Sequence, residues 1–155
     1  MDTAESSFRR LRDYCEAHDY SGWDPYDALN SPITRALSLG TKYGRIAWIQ
    51  LLRRLPVNIR PLLAISKGHN PKGLGLFLGG LAKCQAMNSD PETGSQISHL
   101  LDLLEQTRSR GSSGYCWGYN FDWQSRAFYV PKFTPTVVNS AFIGHALLDT
   151  FDLVG

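Results

Sequence analysis

Three carboxylates lie in two aromatic segments of the chain, a combination that suits the chemistry of sugars. Asp24 and Asp27 lie in YSGWDPYDALNS (20–31), and Asp122 lies in GYCWGYNFDW (114–123). Glycoside hydrolysis needs two carboxylates that flank the scissile bond. Neighbouring tryptophans would desolvate one of them and raise its pKa, as a general acid requires. We therefore predict Asp122 and Asp27 as a catalytic pair. Capping of a turn is the alternative role, and for Asp24 it is the one we favour.

The longer segment 114–136 is dense in aromatic residues and has hardly an aliphatic one. From 115 to 123 the aromatic residues take every odd position, which would fit a short strand. Gly118 and Pro131 are among the breaks that favour an irregular, aromatic-lined loop instead. Trp and Tyr join an apolar body to a polar group, so such a loop suits a flat, hydroxylated ligand. A loop folded on its own side chains is the alternative. The predicted saccharide-binding residues are Trp23, Asp24, Tyr26, Arg60, Trp117, Tyr119, Trp123 and Arg126.

Basic side chains lie in or beside the same loops. They are Arg60, Lys67, His69, Lys72, Arg126 and Lys132. Arginine offers a bidentate fork and lysine a point charge, so the set would suit an anionic sugar, a uronate or a sugar phosphate. Carbonyl capping and surface solubility are the alternative, which we favour for Lys67 and Lys132.

No cofactor or metal is predicted from the motifs. The four histidines show no pair with the spacing of metal ligands, and His145, His18 and His99 fit packing positions in helices. A GxSxG nucleophile motif is absent, and Cys116 has no histidine near it in sequence.

Composition indicates a single globular domain spanning 1–155. The chain is 43% hydrophobic and 19% charged, and its formal charge of +2 is too small to indicate nucleic-acid binding. No apolar run approaches the roughly 20 residues of a membrane span. The N-terminal residues lack the apolar region of a signal peptide. The three cysteines are widely spaced without a CxxC pair, which predicts free thiols and a cytoplasmic location.

Apolar periodicity and capping signals predict an all-α protein built of helical hairpins, without a β-hairpin. Residues 4–18 read as an amphipathic helix. Four further helix starts are predicted from a capping residue followed by proline, at Ser31-Pro32, Asn70-Pro71, Asp90-Pro91 and Thr134-Pro135. A break is expected near Gly40 and Gly44, and the third of these helices is expected to reach Arg110, with Gly111 as C-cap.

Four glycines in the helix that follows Pro71 are expected to let a neighbouring helix approach closely. They are Gly73, Gly75, Gly79 and Gly80. Both aromatic segments follow a helix, so antiparallel packing of alternate helices would bring the two segments to the same end of the assembly.

Three stretches resemble one family of bacterial and archaeal proteins that are commonly encoded near polysaccharide-biosynthesis genes. They are YSGWDPYDALNS, then RRLPVNIRPLL with KGHNPKGLGLFL, then GYCWGYNFDWQSR with PTVVNSAFIGHALLD. That family is similar to the (α/α)6-toroid proteins, which include six-hairpin glycosidases, sugar epimerases and, more distantly, terpenoid cyclases. The resemblance implies a carbohydrate-active or carbohydrate-binding protein of polysaccharide or glycoconjugate metabolism.

A complete six-hairpin toroid needs about twelve helices, which exceeds this chain at a mean helix length of about 11–12 residues. We expect five or six helices and therefore a partial toroid, either truncated or closed differently. Such a structure would leave apolar faces uncovered, including Val138, Phe142 and Phe151. This predicts a homo-oligomer, or a partner chain that supplies the missing hairpins.

Three functions remain open, and each predicts a different site. An open cleft with paired acids would favour a sugar-active protein. A large, dry cavity poor in carboxylates would favour an isoprenoid-handling protein, since aromatic faces stabilise carbocations. Buried aromatic loops without a cleft would favour a non-catalytic scaffold or partner-binding module.

Overall fold

The computed structural model describes residues 3–87 and 89–154, and these are mostly helical. The α-helices are α1 (Ala4–Ala17), α2 (Pro32–Leu37), α3 (Lys42–Arg54), α4 (Pro71–Met87), α5 (Pro91–Gln106) and α6 (Val137–Val154). Two 3-10 turns cover Asp27–Asn30 and Pro61–Leu63, and two short strands are β1 (Trp123–Gln124) and β2 (Tyr129–Val130). The predicted all-α class is confirmed. None of the described helices has the length and apolarity needed to cross a membrane.

The main core forms where α4 packs against both α5 and α6. Leu74 and Leu78 of α4, Leu100 of α5 and Ile143 of α6 are almost fully buried there. The close helix approach expected from the glycines is confirmed at Gly75, where an added Cβ would lie 2.8 Å from Ile143 Cγ1. Gly79 likewise faces Ala146 of α6, whereas an added Cβ would meet only Asn70 at Gly73 and nothing within 4 Å at Gly80.

A second, smaller core surrounds α3 and supports the aromatic segments. Its buried residues are Ala28, Leu29, Ile49, Leu52 and Ile65. Trp23, Tyr26 and Trp123 are partly buried against this cluster. The same small core therefore anchors side chains from both aromatic segments.

Three of the four predicted helix starts are confirmed, because α2, α4 and α5 begin at their prolines. The Ser31 hydroxyl accepts bonds from two backbone N–H groups of α2, and the Asp90 carboxylate caps α5 by accepting the Glu92 N–H and the Thr93 hydroxyl. The fourth start was misplaced by two residues. The hydroxyl of Thr136, rather than that of Thr134, accepts the Asn139 N–H at 3.3 Å, so α6 begins at Val137.

Two further expectations concern where helices end; one is confirmed and the other is wrong. The break between α2 and α3 is confirmed, and Gly40 adopts a left-handed φ of +66° within it. The predicted extension of α5 to Arg110 is wrong. Its last residue is Gln106, since the chain then turns so that the Ser109 N–H donates to the Cys116 carbonyl at 2.9 Å.

A small β-hairpin lies inside the second aromatic segment, although the sequence analysis predicted none. Trp123 pairs with Val130 and Gln124 with Tyr129. The Ser125 hydroxyl closes the turn by accepting bonds from the N–H groups two and three residues later. Residues 115–122 form no strand, so the predicted irregular loop is confirmed there.

Several apolar residues of α6 are exposed. Val138 is 50% exposed, Phe142 46% and Phe151 67%. The sequence expectation of uncovered apolar residues on this helix is therefore confirmed. The toroid and the oligomer inferred with it stay predictions.

Candidate functional site

The two aromatic segments contact each other. We call 20–31 the first aromatic loop and 114–136 the second aromatic loop. The Asn30 side-chain amide donates to the Asn120 carbonyl at 3.2 Å. The rings of Tyr26 and Phe121 lie nearly parallel, with centroids 6.5 Å apart. Each loop therefore contributes one wall of a shared surface.

Between the loops and α4 lies an open cavity of about 470 Å³, which we call the aromatic cavity. It is lined by Asp24, Pro25, Tyr26, Asn70, Lys72, Gly73, Leu76, Tyr119, Phe121 and Trp123. The Tyr119 and Phe121 rings stack at 5.1 Å with 24° between their planes. The cavity thus combines aromatic faces with an acid, an amide and a lysine.

Asp24 is the carboxylate that lines this cavity. Its Oδ1 accepts the Tyr26 N–H at 2.9 Å, which closes a turn, and its Oδ2 accepts the Asn70 side-chain amide at 2.8 Å. No arginine or lysine in the described part of the chain forms an ion pair with it. The carboxylate thus retains acceptor capacity for a ligand, beyond the turn role that the sequence favoured.

Asp27 is held in a buried ion pair. Its Oδ1 accepts the Arg60 Nε–H at 2.8 Å and its Oδ2 accepts the Asp24 N–H at 3.1 Å. The two side chains are only 4% and 12% exposed. Burial raises the pKa of Asp27, and the hydrogen bond and charge of Arg60 oppose that rise. The pair fixes the first aromatic loop, since Arg60 also donates to the Asp24 carbonyl.

Asp122 belongs to a separate ion pair. Its Oδ2 accepts the Arg35 Nη2–H at 2.6 Å, and its Oδ1 accepts the Lys132 N–H at 2.8 Å. Burial, followed by the hydrogen bond to Asp122, raises the pKa of Tyr129. Asp122 does not line the aromatic cavity and neither does Asp27. The two acids do not form the open cleft with paired carboxylates expected of a glycosidase, and their catalytic role stays a prediction.

The three tryptophans named as ligand contacts occupy different environments. Trp117 is 3% exposed in the main core, where its indole N–H donates to the Leu104 carbonyl at 2.8 Å. Trp117 is therefore a core residue and not the saccharide-binding surface that the sequence predicted. Trp23 packs on the second core and donates to the Ile65 carbonyl. Only Trp123 of these three lines the aromatic cavity.

Two other predicted contacts lie away from the aromatic cavity. Arg60 is committed to Asp27, and Arg126 is exposed in the turn between β1 and β2. Sequence reasoning missed Asn70, which it treated only as a helix cap. Its Oδ1 does accept the Lys72 N–H at the start of α4, while its amide reaches Asp24. The capping motif thus identified Asn70 as a helix cap, but it did not indicate the hydrogen bond from Asn70 to Asp24.

The described residues contain no cluster of three or more His, Cys, Asp or Glu side chains arranged to hold a metal ion.

No family model, curated protein or solved structure shows significant similarity to this chain. The family resemblance inferred from the sequence therefore stays a prediction.

Proposed function

We propose that this protein binds a saccharide in the aromatic cavity, within polysaccharide or glycoconjugate metabolism. The observation that carries the proposal is the aromatic wall of Tyr26, Tyr119, Phe121 and Trp123 beside the Asp24 carboxylate. Aromatic faces offer apolar contact to the C–H face of a sugar ring. Asp24 supplies acceptors for hydroxyl groups. A concave site with an apolar lining and a few placed polar groups is the usual form of a small-molecule site.

Binding is better supported than hydrolysis. Among the described residues that line the aromatic cavity, Asp24 is the one carboxylate. Glycoside hydrolysis needs a second acid across the bond. Asp27 and Asp122 are each paired with an arginine, so neither is available at this cavity. An isoprenoid ligand is supported less well, because Asp24, Asn70 and Lys72 make part of the wall polar.

Tyr119→Ala should weaken saccharide binding at least tenfold. Tyr119 is half-buried and its ring forms part of the aromatic wall, so the substitution removes a face on which a sugar ring stacks. A tenfold loss of affinity corresponds to about 1.4 kcal/mol of binding free energy. The measurement is ligand-observed NMR and calorimetric titration against a panel of neutral and acidic mono- and disaccharides. Trp123→Ala tests the same wall, with some loss of stability from its packing on the second core.

Tyr43→Ala is the matched control, because Tyr43 is 79% exposed on α3 and does not line the aromatic cavity. It should bind as the wild type does. If the wild type binds no saccharide of the panel at millimolar concentration, or if Tyr119→Ala binds unchanged, the proposal fails.

We propose as a second property that the exposed face of α6 packs against a second copy of the chain or a partner chain. We expect a dimer or larger species at micromolar concentration in light scattering. Val138→Ser with Phe151→Ser should shift it towards monomer, because the exposed apolar area drives the association. Leu62→Ser is the control, since Leu62 is 81% exposed outside α6. A wild-type monomer that binds no hydrophobic dye would contradict the proposal.

A further inference from the structure

A second cavity, of about 320 Å³, shares Asp24 with the aromatic cavity. We call it the polar cavity, because amide, hydroxyl and charged groups make up much of its wall. Lys67, His69 and Lys132 contribute to it, as do Asn30 and Asn120. It draws on both aromatic loops and on the segment that precedes α4. None of these five residues lines the aromatic cavity, so the two cavities differ in chemistry.

Two lysines and two carboxylates line the polar cavity: Lys67, Lys132, Asp24 and Asp27. Asp27 is paired with Arg60, so two lysines face one lining carboxylate that has no arginine or lysine partner among the described residues. Arg60 and Asp27 neutralise each other within their ion pair. Neither lysine forms an ion pair with any described residue. The Lys67 ammonium lies 5.2 Å from the Trp23 ring centroid, which leaves its N–H groups open to an anion.

Two residues that line the polar cavity carry side-chain acceptors without a donor. The Oδ1 atoms of Asn30 and Asn120 are buried and accept no hydrogen bond from any described residue. The orientation of the Asn30 amide is set by its Nδ2–H, which donates to the Asn120 carbonyl. A buried acceptor without a donor costs about 1–3 kcal/mol, so these atoms call for a donor from water or a ligand. Sugar hydroxyls are donors of this kind.

We propose that the saccharide is acidic and that its anionic group, a carboxylate or a phosphate, binds Lys67 and Lys132 in the polar cavity. This inference rests on the saccharide-binding function proposed above. Hydroxyls of the same residue or its neighbour donate to the two asparagine oxygens. Asp24 lines both cavities, so the two subsites are adjacent. Charge-assisted hydrogen bonds from ammonium to an anionic oxygen supply the specificity.

The test compares matched neutral and acidic sugars by calorimetric titration at low salt. Glucose is compared with glucuronate and glucose 6-phosphate, and galactose with galacturonate and galactose 6-phosphate. We expect at least one acidic form to bind tenfold or more tightly than its neutral parent, with the advantage falling as salt rises. The uronate and phosphate arms identify which anion is preferred.

Lys67→Gln with Lys132→Gln should abolish the preference for the acidic sugar and leave the affinity for the neutral parent unchanged. Lys83→Gln is the matched control, because Lys83 is exposed on α4 and does not line either cavity. Equal affinity for acidic and neutral sugars would overturn this inference and leave saccharide binding intact. Inorganic phosphate bound as tightly as the sugar phosphates would also overturn it. Absence of binding to every sugar would also contradict the proposed saccharide-binding function.

Discussion

Trp117→Ala should destabilise the protein by about 3–5 kcal/mol, the range for removal of a large aromatic side chain from a core. Trp117 is 3% exposed and packs in the main core with α4, α5 and α6. The substitution also leaves the Leu104 carbonyl without the indole N–H. The measurement is denaturant unfolding followed by far-UV circular dichroism, since the fluorescence signal changes with the substitution itself.

Trp117→Phe is the control for volume. It keeps most of the ring and removes the indole hydrogen bond, so it should cost less than Trp117→Ala. Trp123→Ala should also cost less, because Trp123 is only partly buried and lines the aromatic cavity. A loss below about 1 kcal/mol for Trp117→Ala, a value typical of surface sites, would contradict the core position. Equal losses of stability for Trp117→Ala and Trp123→Ala would contradict the assignment of Trp117 to the core and of Trp123 to the cavity wall.

The sequence predicted three of the four proline-marked helix starts because their signals are local. The Ser31 hydroxyl accepts hydrogen bonds from the N–H groups two and three residues later, and the Asp90 carboxylate accepts one from the N–H two residues later. In both cases the following proline fits the first helical turn. The misplaced start of α6 shows the limit of that reasoning. Thr134 carries the local signal because proline follows it, but the structure uses Thr136, whose N–H donates to the Trp117 carbonyl at 3.0 Å.

The roles of the aromatic residues could not be read from their spacing. From Tyr115 to Trp123 they alternate with other residues, but the segment is a loop up to residue 122, so alternate positions do not share a face. Tyr115 is 65% exposed, Trp117 is buried in the core and Tyr119 lines the cavity. The composition therefore predicted an aromatic surface correctly, but not which residues form it.

The ion-pair partners of Asp27 and Asp122 could not be predicted from the sequence for a different reason. Asp27 and Arg60 are 33 positions apart, and Asp122 and Arg35 are 87 apart. Such pairs depend on how α2 and the loops pack, which no local pattern in one sequence records. The sequence located the acids among aromatic residues, and only the fold shows that Asp24 is the one left to face the cavity.

Asp27→Ala should cost about 3–5 kcal/mol, because it leaves the buried guanidinium of Arg60 without its counter-charge. Asp27→Asn should cost less, since its amide oxygen still accepts one hydrogen bond. Burial raises the pKa of Asp27, so the folded state takes up a proton more readily than the unfolded state. The proton-linked part of the stability is then fully present below the unfolded pKa of Asp27 and is lost as pH rises through the folded pKa, whereas the ion pair with Arg60 is made by the ionised carboxylate. Asp27→Asn does not titrate and should lack that decline.

Asp122→Ala is the comparison for Asp27→Ala, since it leaves Arg35, which is 51% exposed and remains hydrated. Its cost should be smaller, about 1–3 kcal/mol for the buried hydrogen bonds lost. Denaturant unfolding at several pH values between 3 and 8 measures all three variants. A loss for Asp27→Ala no larger than that for Asp122→Ala would contradict the buried-pair argument.

The double substitution Asp27→Leu with Arg60→Met separates stability from function at this pair. Replacement of a buried ion pair by apolar residues of similar volume is often neutral, so the double variant should be far more stable than Asp27→Ala. It nevertheless loses the bonds from the pair to the Asp24 N–H and carbonyl, which position the Asp24 carboxylate. We therefore expect a folded protein with weakened saccharide binding. Unchanged affinity in a folded double variant would show that the pair does not position Asp24. A double variant no more stable than Asp27→Ala would contradict the apolar replacement argument.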